Sequence, residues 1–295
     1  MTKIVVYGSN GQLGWELMRR FKRLGVSAKG MDLPHDDVTD KDGVQFAIRS
    51  ETPQIIINAS AYTAVDQAET ERETAFKVNR DGPAYIAQAC SHANIPLIHV
   101  STDYVFDGTS HVPYKEDDLV APMGVYGESK EKGECGVRKC LTEHIIIRTS
   151  WVYGVHGHNF VKTMVRLGKE NPRIKVVDDQ YGCPTYAGDL ADAIISIVDL
   201  IQTKGRANWG TYHYCGEGVT TWYGFAEKIF ELVEQYIPLK VTEVLPISTA
   251  EYPTPAKRPA YSALDCNKIK KHWNVVPKPW QKSLEAMIDD LFKDD

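Results

Sequence analysis

The chain has 295 residues, enough for one large domain or two modest ones at roughly 150 residues each. Hydrophobic residues make up 43% and charged residues 25%, a mix that excludes a disordered chain. Thirty-four Lys and Arg against 39 Asp and Glu leave a net charge of −5, which argues against nucleic acid or an anionic membrane as a partner.

The chain enters its first apolar run at Ile4–Tyr7, a short segment closed by Gly8 that predicts a buried strand. Leu13, Leu17, Phe21 and Leu24 follow at helical spacing, and Gly25 ends that helix. Further strands are predicted at Val26–Met31, Ile55–Ile57, Leu97–Val100 and Ile145–Ile147. A helix is predicted over Ala75–Ala93, with a bend or break expected at Gly82-Pro83. Strands apolar on both faces, alternating with helices, predict a Rossmann-like α/β fold. Its doubly wound parallel sheet gathers ligands at the carboxyl ends of the strands.

After residue 150 the pattern loosens. Lys175–Asp178 reads as a strand and Asp189–Ile201 as a helix, while Pro and aromatic residues become denser from about Gly205. The expected division is a dinucleotide-binding domain over 1–150 and a smaller C-terminal α/β substrate lobe over 151–295. Parts of about 174–202 are expected to return to the first domain.

No apolar run approaches the roughly 20 residues of a membrane span, and the N-terminus lacks the pattern of a secretion signal. The six cysteines (Cys90, Cys135, Cys140, Cys183, Cys215, Cys266) form no CxxC pair and read as reduced thiols of a cytoplasmic protein. His99, His111, His144, His156 and His158 have no metal-spaced partners and receive no catalytic role.

Gly8-Ser9-Asn10-Gly11-Gln12-Leu13-Gly14 places a G-x-x-G-x-x-G loop between a predicted strand and a predicted helix. Glycines there let the backbone approach a pyrophosphate, and the helix start supplies partial positive charge. The spacing is similar to that of extended short-chain dehydrogenase/reductases. Asp32, at the end of the second strand, is the candidate acid for a ribose 2′-hydroxyl and argues for NAD. Lys29 is near, and Asp36, Asp37 and Asp40 crowd the same loop, so the coenzyme stays open between NADH and NADPH.

Tyr126-Gly127-Glu128-Ser129-Lys130 is a Y-x-x-x-K, which places phenol and ammonium on one helical face. The cation is expected to lower the phenol pKa and make Tyr126 a proton donor to a carbonyl oxygen. Glu128 and Glu131 flank Lys130 and are expected to face solvent. Ser101-Thr102-Asp103 ends the fourth strand on the expected ligand side.

Longer strings carry a family resemblance. They include Gly14-Trp15-Glu16-Leu17, Asp37-Val38-Thr39-Asp40, Asn58-Ala59-Ser60-Ala61-Tyr62-Thr63-Ala64-Val65-Asp66 and Val78-Asn79. They continue through Ser101-Thr102-Asp103-Tyr104-Val105-Phe106-Asp107-Gly108, Arg148-Thr149-Ser150-Trp151 and Arg258-Pro259. Over essentially its whole length the chain resembles the dTDP-4-dehydrorhamnose reductases. That resemblance implies NADPH- or NADH-dependent reduction of the C4 ketone of a dTDP-sugar, the last step of dTDP-rhamnose biosynthesis.

It further implies Tyr126 as proton donor, Lys130 as its modulator and ribose ligand, and Thr102 as a hydrogen-bond partner of the sugar oxygen. Gly8, Asn10, Gly11, Gln12 and Leu13 would hold the pyrophosphate. Asp37 and Val38 would flank the adenine, and Ala59, Ala61, Tyr62 and Asn79 would lie along the cofactor. Val105 and Trp151 would line the sugar pocket, with Arg258 reaching the substrate from the second lobe. An indole offers a deoxysugar a flat apolar face, and a guanidinium offers a diphosphate a planar fork. The resemblance leaves a monomer or a homodimer open, and raises Mg2+ at Glu16 as a dimer link.

Two other readings compete. A dehydratase needs a Glu after Thr-Asp, where this chain has Tyr104; an epimerase shares the Tyr and Lys, but Tyr104–Gly108 favours the reductase. A non-catalytic regulatory subunit is opposed by the joint presence of Thr102, Tyr126 and Lys130.

Overall fold

The computed structural model describes residues 3–204 and 208–293. Its strands are β1 (Lys3–Tyr7), β2 (Ser27–Met31), β3 (Ile55–Asn58), β4 (Leu97–Thr102), β5 (His144–Thr149), β6 (Val152–Tyr153), β7 (Arg173–Val177), β8 (Tyr181–Gly182), β9 (Thr185–Tyr186), β10 (Gly210–His213), β11 (Thr220–Thr221) and β12 (Glu243–Ile247). Its α-helices are α1 (Gln12–Leu24), α2 (Lys41–Glu51), α3 (Val65–Ala68), α4 (Arg72–Phe76), α5 (Gly82–Ala93), α6 (Val125–Cys140), α7 (Phe160–Glu170), α8 (Ala187–Lys204), α9 (Trp222–Val233), α10 (Asn267–Trp273) and α11 (Trp280–Phe292).

Among the described residues, six strands form one parallel sheet in the order β10-β5-β4-β3-β1-β2. Successive side chains of a strand point to opposite faces. Ile4, Val6, Ile55, Ile57, Ile145 and Ile147 pack on one side against Leu17 and Phe21 of α1, Leu190 and Ile194 of α8, and Trp273 of α10. Val5, Tyr7, Ile56, Leu97 and Ile146 pack on the other against Ile48 of α2, Ile86 of α5 and Val137 of α6. Burial on both faces is why these strands read as unbroken apolar runs. From β1 the chain goes to β2 on one side and to β3 on the other. A crevice therefore opens at the carboxyl ends of β1 and β3.

The helical run predicted over Ala75–Ala93 is not broken at Gly82-Pro83. A π-helical turn, Lys77–Asp81, joins α4 to α5, and Pro83 follows it in the first turn of α5.

The segment near residues 174–202 splits between two layers. Strand β7 pairs in parallel with β12 in a separate sheet, whereas α8 lies on α1 against the main sheet. The burial of β7 explains this: Arg173 and Lys175 are exposed between buried neighbours, so one face alone is covered. Strand β10, which no apolar run announced, is the sixth strand of the main sheet. The smaller core holds Tyr153, Val161, Phe225, Phe230, Trp280 and Leu284, from the β6 region, α7, α9 and α11.

Among the described residues no helix is long and apolar enough to cross a membrane, and all six cysteines are free.

Candidate active site

The loop after β1 folds back tightly on itself. Gly8 has φ +76°, and a side chain there would strike the backbone of Ser60; a Cβ on Gly14 would run into the carbonyl oxygen of Gly8. Helix α1 therefore starts flush against the crevice. The cleft above it has a volume of about 550 Å³. Gly8, Asn10, Gly11, Gln12 and Leu13 line it, together with Asp32, Asp37, Val38, Ala59 and Ala61, and it reaches Tyr126 and Lys130. The Asp32 carboxylate accepts from the backbone N–H of Asn10 at 2.7 Å and of Leu33 at 2.8 Å, so it ties the second strand to the loop.

Two residues expected along the cofactor are turned elsewhere. The Asn79 amide is spent on the backbone N–H and carbonyl of Tyr62, at 2.8 and 3.0 Å, and on Ser129 Oγ at 3.0 Å. The Tyr62 hydroxyl donates to Glu71 at 2.9 Å. Asn79 thus pins the loop after β3 to α6, Tyr62 holds it to the residue before α4, and neither is among the residues lining the cleft.

Sequence reading missed the cleft's other wall. Thr149 from β5, then Gly157 and His158, complete the lining. His156 Nε2 donates to the Asn10 carbonyl at 2.9 Å, and Asn159 Nδ2 donates to Gln12 Oε1 at 3.0 Å. The loop after β6 thus clasps the glycine loop from a distance of some 146 residues in sequence. Its one legible signal was a polar stretch, Gly154-Val155-His156-Gly157-His158-Asn159, after the β5–β6 region.

Tyr126 and Lys130 lie one turn apart on α6. The Lys130 ammonium is buried and donates to the Val100 carbonyl of β4 at 2.7 Å. Burial lowers its pKa to about 8, against the opposing pull of Glu134. Tyr126 packs edge-on against Tyr104, with ring centroids 5.5 Å apart. Burial raises its pKa to about 12; a hydrogen bond with Thr102 pulls it down and the charge of Asp103 pushes it up. The expectation that Lys130 brings the phenol toward neutrality is therefore not met. Desolvation dominates, and Tyr126 is a protonated phenol, suited to giving a proton.

Glu128 pairs with Arg72 at 2.9 Å on the surface, as expected. Glu131 does not face solvent: it is buried and pairs with Lys132 at 3.1 Å.

Thr102 ends β4. Its hydroxyl donates to Asp103 Oδ1 at 3.0 Å and accepts from the Tyr104 N–H at 3.2 Å. Burial raises the Asp103 carboxyl to about 6, with Ser262 and Thr102 opposing. A folded-state pKa above the ordinary one gives stability that is complete at low pH and lost as pH rises through about 6. Asp103→Asn is expected to be more stable than the wild type at pH 8, by on the order of 2–3 kcal/mol, with the gap falling to about half at pH 5 and closing only below about pH 4. Thermal unfolding at the two pH values checks this; a gap unchanged by pH would contradict it.

On the substrate side, Val105 does not line a pocket. It is wholly buried with Phe106 and Tyr114 in a small core of its own. Trp151 has φ +47° and stacks on Trp222 of α9, with centroids 3.6 Å apart. Phe160 packs against Trp222 in turn, at 4.6 Å. Trp222 was invisible to sequence reading because nothing local sets it apart from a core aromatic. Arg258 pairs with Asp66 at 2.7 Å, and the same carboxylate accepts from the Ala256 N–H at 3.2 Å. Arg258 lies within electrostatic reach of Tyr104, so it approaches the reaction centre from the C-terminal segment.

Glu16, raised as a Mg2+ position, has a fully buried side chain that pairs with Arg20 and lies 3.2 Å from Arg19. A cation would meet two guanidinium groups already in place. Among the described residues, no group of three or more His, Cys, Asp or Glu is arranged to hold a metal ion.

A glycine loop at a parallel-sheet switch point, sharing a nucleotide-sized cleft with Tyr126 and Lys130, with Thr102 hydrogen-bonded to Tyr126, defines an extended short-chain dehydrogenase/reductase. Within that class the chain belongs to the RmlD substrate binding domain family, whose model matches residues 1–293. It is 44% identical over 287 residues to the dTDP-4-dehydrorhamnose reductase of Aggregatibacter actinomycetemcomitans, covering 97% of this chain and 98% of that one. A crystal structure of a dTDP-4-dehydrorhamnose reductase from Clostridium acetobutylicum superposes with a TM-score of 0.92 at 38% identity, covering 98% of this chain and 99% of that one. A dTDP-4-dehydrorhamnose reductase from Bacillus anthracis, solved in complex with NADP, gives 0.90 at 39% identity, covering 98% and 100%.

Proposed function

We propose that this protein reduces the C4 ketone of dTDP-4-dehydro-L-rhamnose to dTDP-L-rhamnose with NADPH or NADH. The observation that carries the reading is that Tyr126 and Lys130 line the same cleft as the glycine loop, with Thr102 hydrogen-bonded to Tyr126. The cleft fits a dinucleotide: the closest approach is made by glycines, and the start of α1 faces the space where a pyrophosphate would lie.

When bound in the cleft, NADPH or NADH would supply the hydride for C4 of the sugar. Tyr126 gives its hydroxyl proton to the ketone oxygen, so that the C=O becomes CH–OH and the phenol a phenolate. The Lys130 ammonium stabilises that phenolate until solvent returns the proton, and it also holds the nicotinamide ribose. Thr102 orients the ketone oxygen. Trp151, backed by Trp222, offers the deoxysugar an apolar wall, and Arg258 reaches its diphosphate. Both ligands are anionic while the protein is acidic overall, so binding falls to these local devices. Asp32, Asp36 and Asp37 crowd the far end of the cleft and favour a free 2′-hydroxyl, as in NADH. The complex of the Bacillus anthracis relative supports NADPH.

The test follows NADH and NADPH absorbance in parallel with dTDP-4-dehydrorhamnose. Substrate-dependent oxidation is expected; its absence with both coenzymes would sink the reading. Trp222→Ala is expected to raise KM for the sugar nucleotide about tenfold with little change in kcat, because the stack fixes the wall and not the reacting atoms. Steady-state kinetics checks this, and an unchanged KM would remove Trp222 from the site.

A further inference from the structure

Three successive residues of β4 each hold one part of the reaction centre. Val100 gives its carbonyl to Lys130, Ser101 donates its hydroxyl to Glu134 at 2.6 Å, and Thr102 is hydrogen-bonded to Tyr126. Glu134 lies one turn beyond Lys130, as Lys130 lies one turn beyond Tyr126, so all three share a face of α6. The Glu134 side chain is fully buried. Besides Ser101 it receives Arg148 Nε and Nη2, at 2.9 and 2.8 Å, and Arg138 Nη1 at 2.9 Å. Ser101 and Arg148 are register partners on β4 and β5, so two adjacent strands grip one carboxylate.

We propose that Glu134 is a positioning residue of this active site: it fixes the roll of α6 against β4 and β5, and supplies the buried negative charge that keeps Lys130 an ammonium. The inference rests on the roles proposed above for Tyr126 and Lys130.

A buried ion pair is a poor source of stability compared with apolar packing. Its presence directly beside the Y-x-x-x-K face suits a role in charge placement. The charged and titratable groups around Lys130 agree. On α6, Arg138 is drawn to Glu134; on β5, Arg148 is spent on the same carboxylate. His99 on β4 is fully buried, lies 3.2 Å from the Asn58 amide, and is held neutral by burial and by Lys130 itself. His144 on β5 is likewise pushed toward the neutral form, first by burial. Burial would raise the Glu134 carboxyl, but Arg148, Ser101 and Arg138 overturn this and bring it to about 2, so it is an anion at every working pH. Glu134 is also the group whose charge opposes the loss of the Lys130 proton.

The test measures kcat/KM, and separately the Kd of NADPH and NADH by fluorescence without sugar, from pH 6 to 10. The enzymes are the wild type, Glu134→Gln, Glu134→Asp and Arg138→Gln. In the wild type both quantities are expected to worsen as pH rises through about 8, where Lys130 deprotonates. In Glu134→Gln that limb is expected to move down by about one pH unit, with Kd about tenfold weaker on the alkaline side. Glu134→Asp keeps the charge and is expected to restore the limb, though not the full kcat. A Glu134→Gln enzyme that melts earlier and turns over more slowly at every pH, with an unmoved limb, would overturn the proposal. Should Glu134→Gln fail to fold, Arg138→Gln carries the test. Removing that half-exposed guanidinium leaves more negative charge facing Lys130 and moves the limb up; a limb that stays or falls refutes the idea. The sugar-free Kd profile keeps this outcome apart from that of the reductase reading, which an inactive wild type alone would sink.

Discussion

Tyr126→Phe is expected to lower kcat by roughly 10²- to 10⁴-fold while leaving the Kd of NADPH and NADH within about twofold of the wild type. The phenol is the group whose pKa, about 12, makes it a proton donor across the whole neutral range. Phe removes that one proton and keeps the ring that packs edge-on against Tyr104. The Lys130 ammonium stays on the Val100 carbonyl, so the coenzyme side of the cleft is intact. Single-turnover absorbance with saturating coenzyme isolates the chemical step, and fluorescence titration measures binding. A variant within tenfold of wild-type kcat would show that another group supplies the proton. Loss of coenzyme binding would show instead that the phenol serves the nucleotide.

Gly14→Ala is expected to weaken NADPH and NADH binding by more than about 100-fold and to destabilise the fold by about 2–4 kcal/mol. The reason is steric and local. The added methyl would enter the Gly8 carbonyl oxygen and crowd Ser9, all of it backbone that no side-chain rotation can relieve. To fit it, α1 must lift from the loop, and the amides that face the cleft leave with it. Gly25→Ala is the matched control. Gly25, unlike Gly14, has a left-handed backbone, φ +67°, but nothing lies within 4 Å of a Cβ there. Its cost is confined to about 1–2 kcal/mol of backbone strain at the end of α1, with coenzyme affinity unchanged. Thermal unfolding and fluorescence titration of the two variants together decide the matter. Equal effects on Kd would mean that the loop's close approach is irrelevant to binding.

Much of the cofactor side was legible before any coordinates. Ile4–Tyr7, Ile55–Ile57 and Ile145–Ile147 announce strands because a parallel sheet covered on both faces needs apolar residues at every position. The glycine loop and the Y-x-x-x-K are each written within seven consecutive residues or fewer, so their geometry follows from local structure once strand and helix are placed. The places where sequence reading went astray have a common character. The family resemblance put Val105 in the sugar pocket, yet a tight turn swings it into its own core. Asn79 looked like a cofactor ligand, but its amide is consumed by Tyr62 and Ser129.

The order of strands and helices, the glycine approach to a pyrophosphate and the pairing of phenol with ammonium are short-range properties, carried by periodicity and spacing along the chain. The rest belongs to tertiary structure. It brings His156 to Asn10, Asp66 to Arg258 and Trp222 to Trp151, contacts between segments far apart in sequence that no local pattern encodes. It also sets the proton chemistry. Spacing alone pointed to a phenol activated by its lysine, whereas burial raises Tyr126 and lowers Lys130, leaving a phenol that holds its proton beside an ammonium that readily loses one. Desolvation depends on how much of the molecule surrounds a group, and that is decided when the chain has folded.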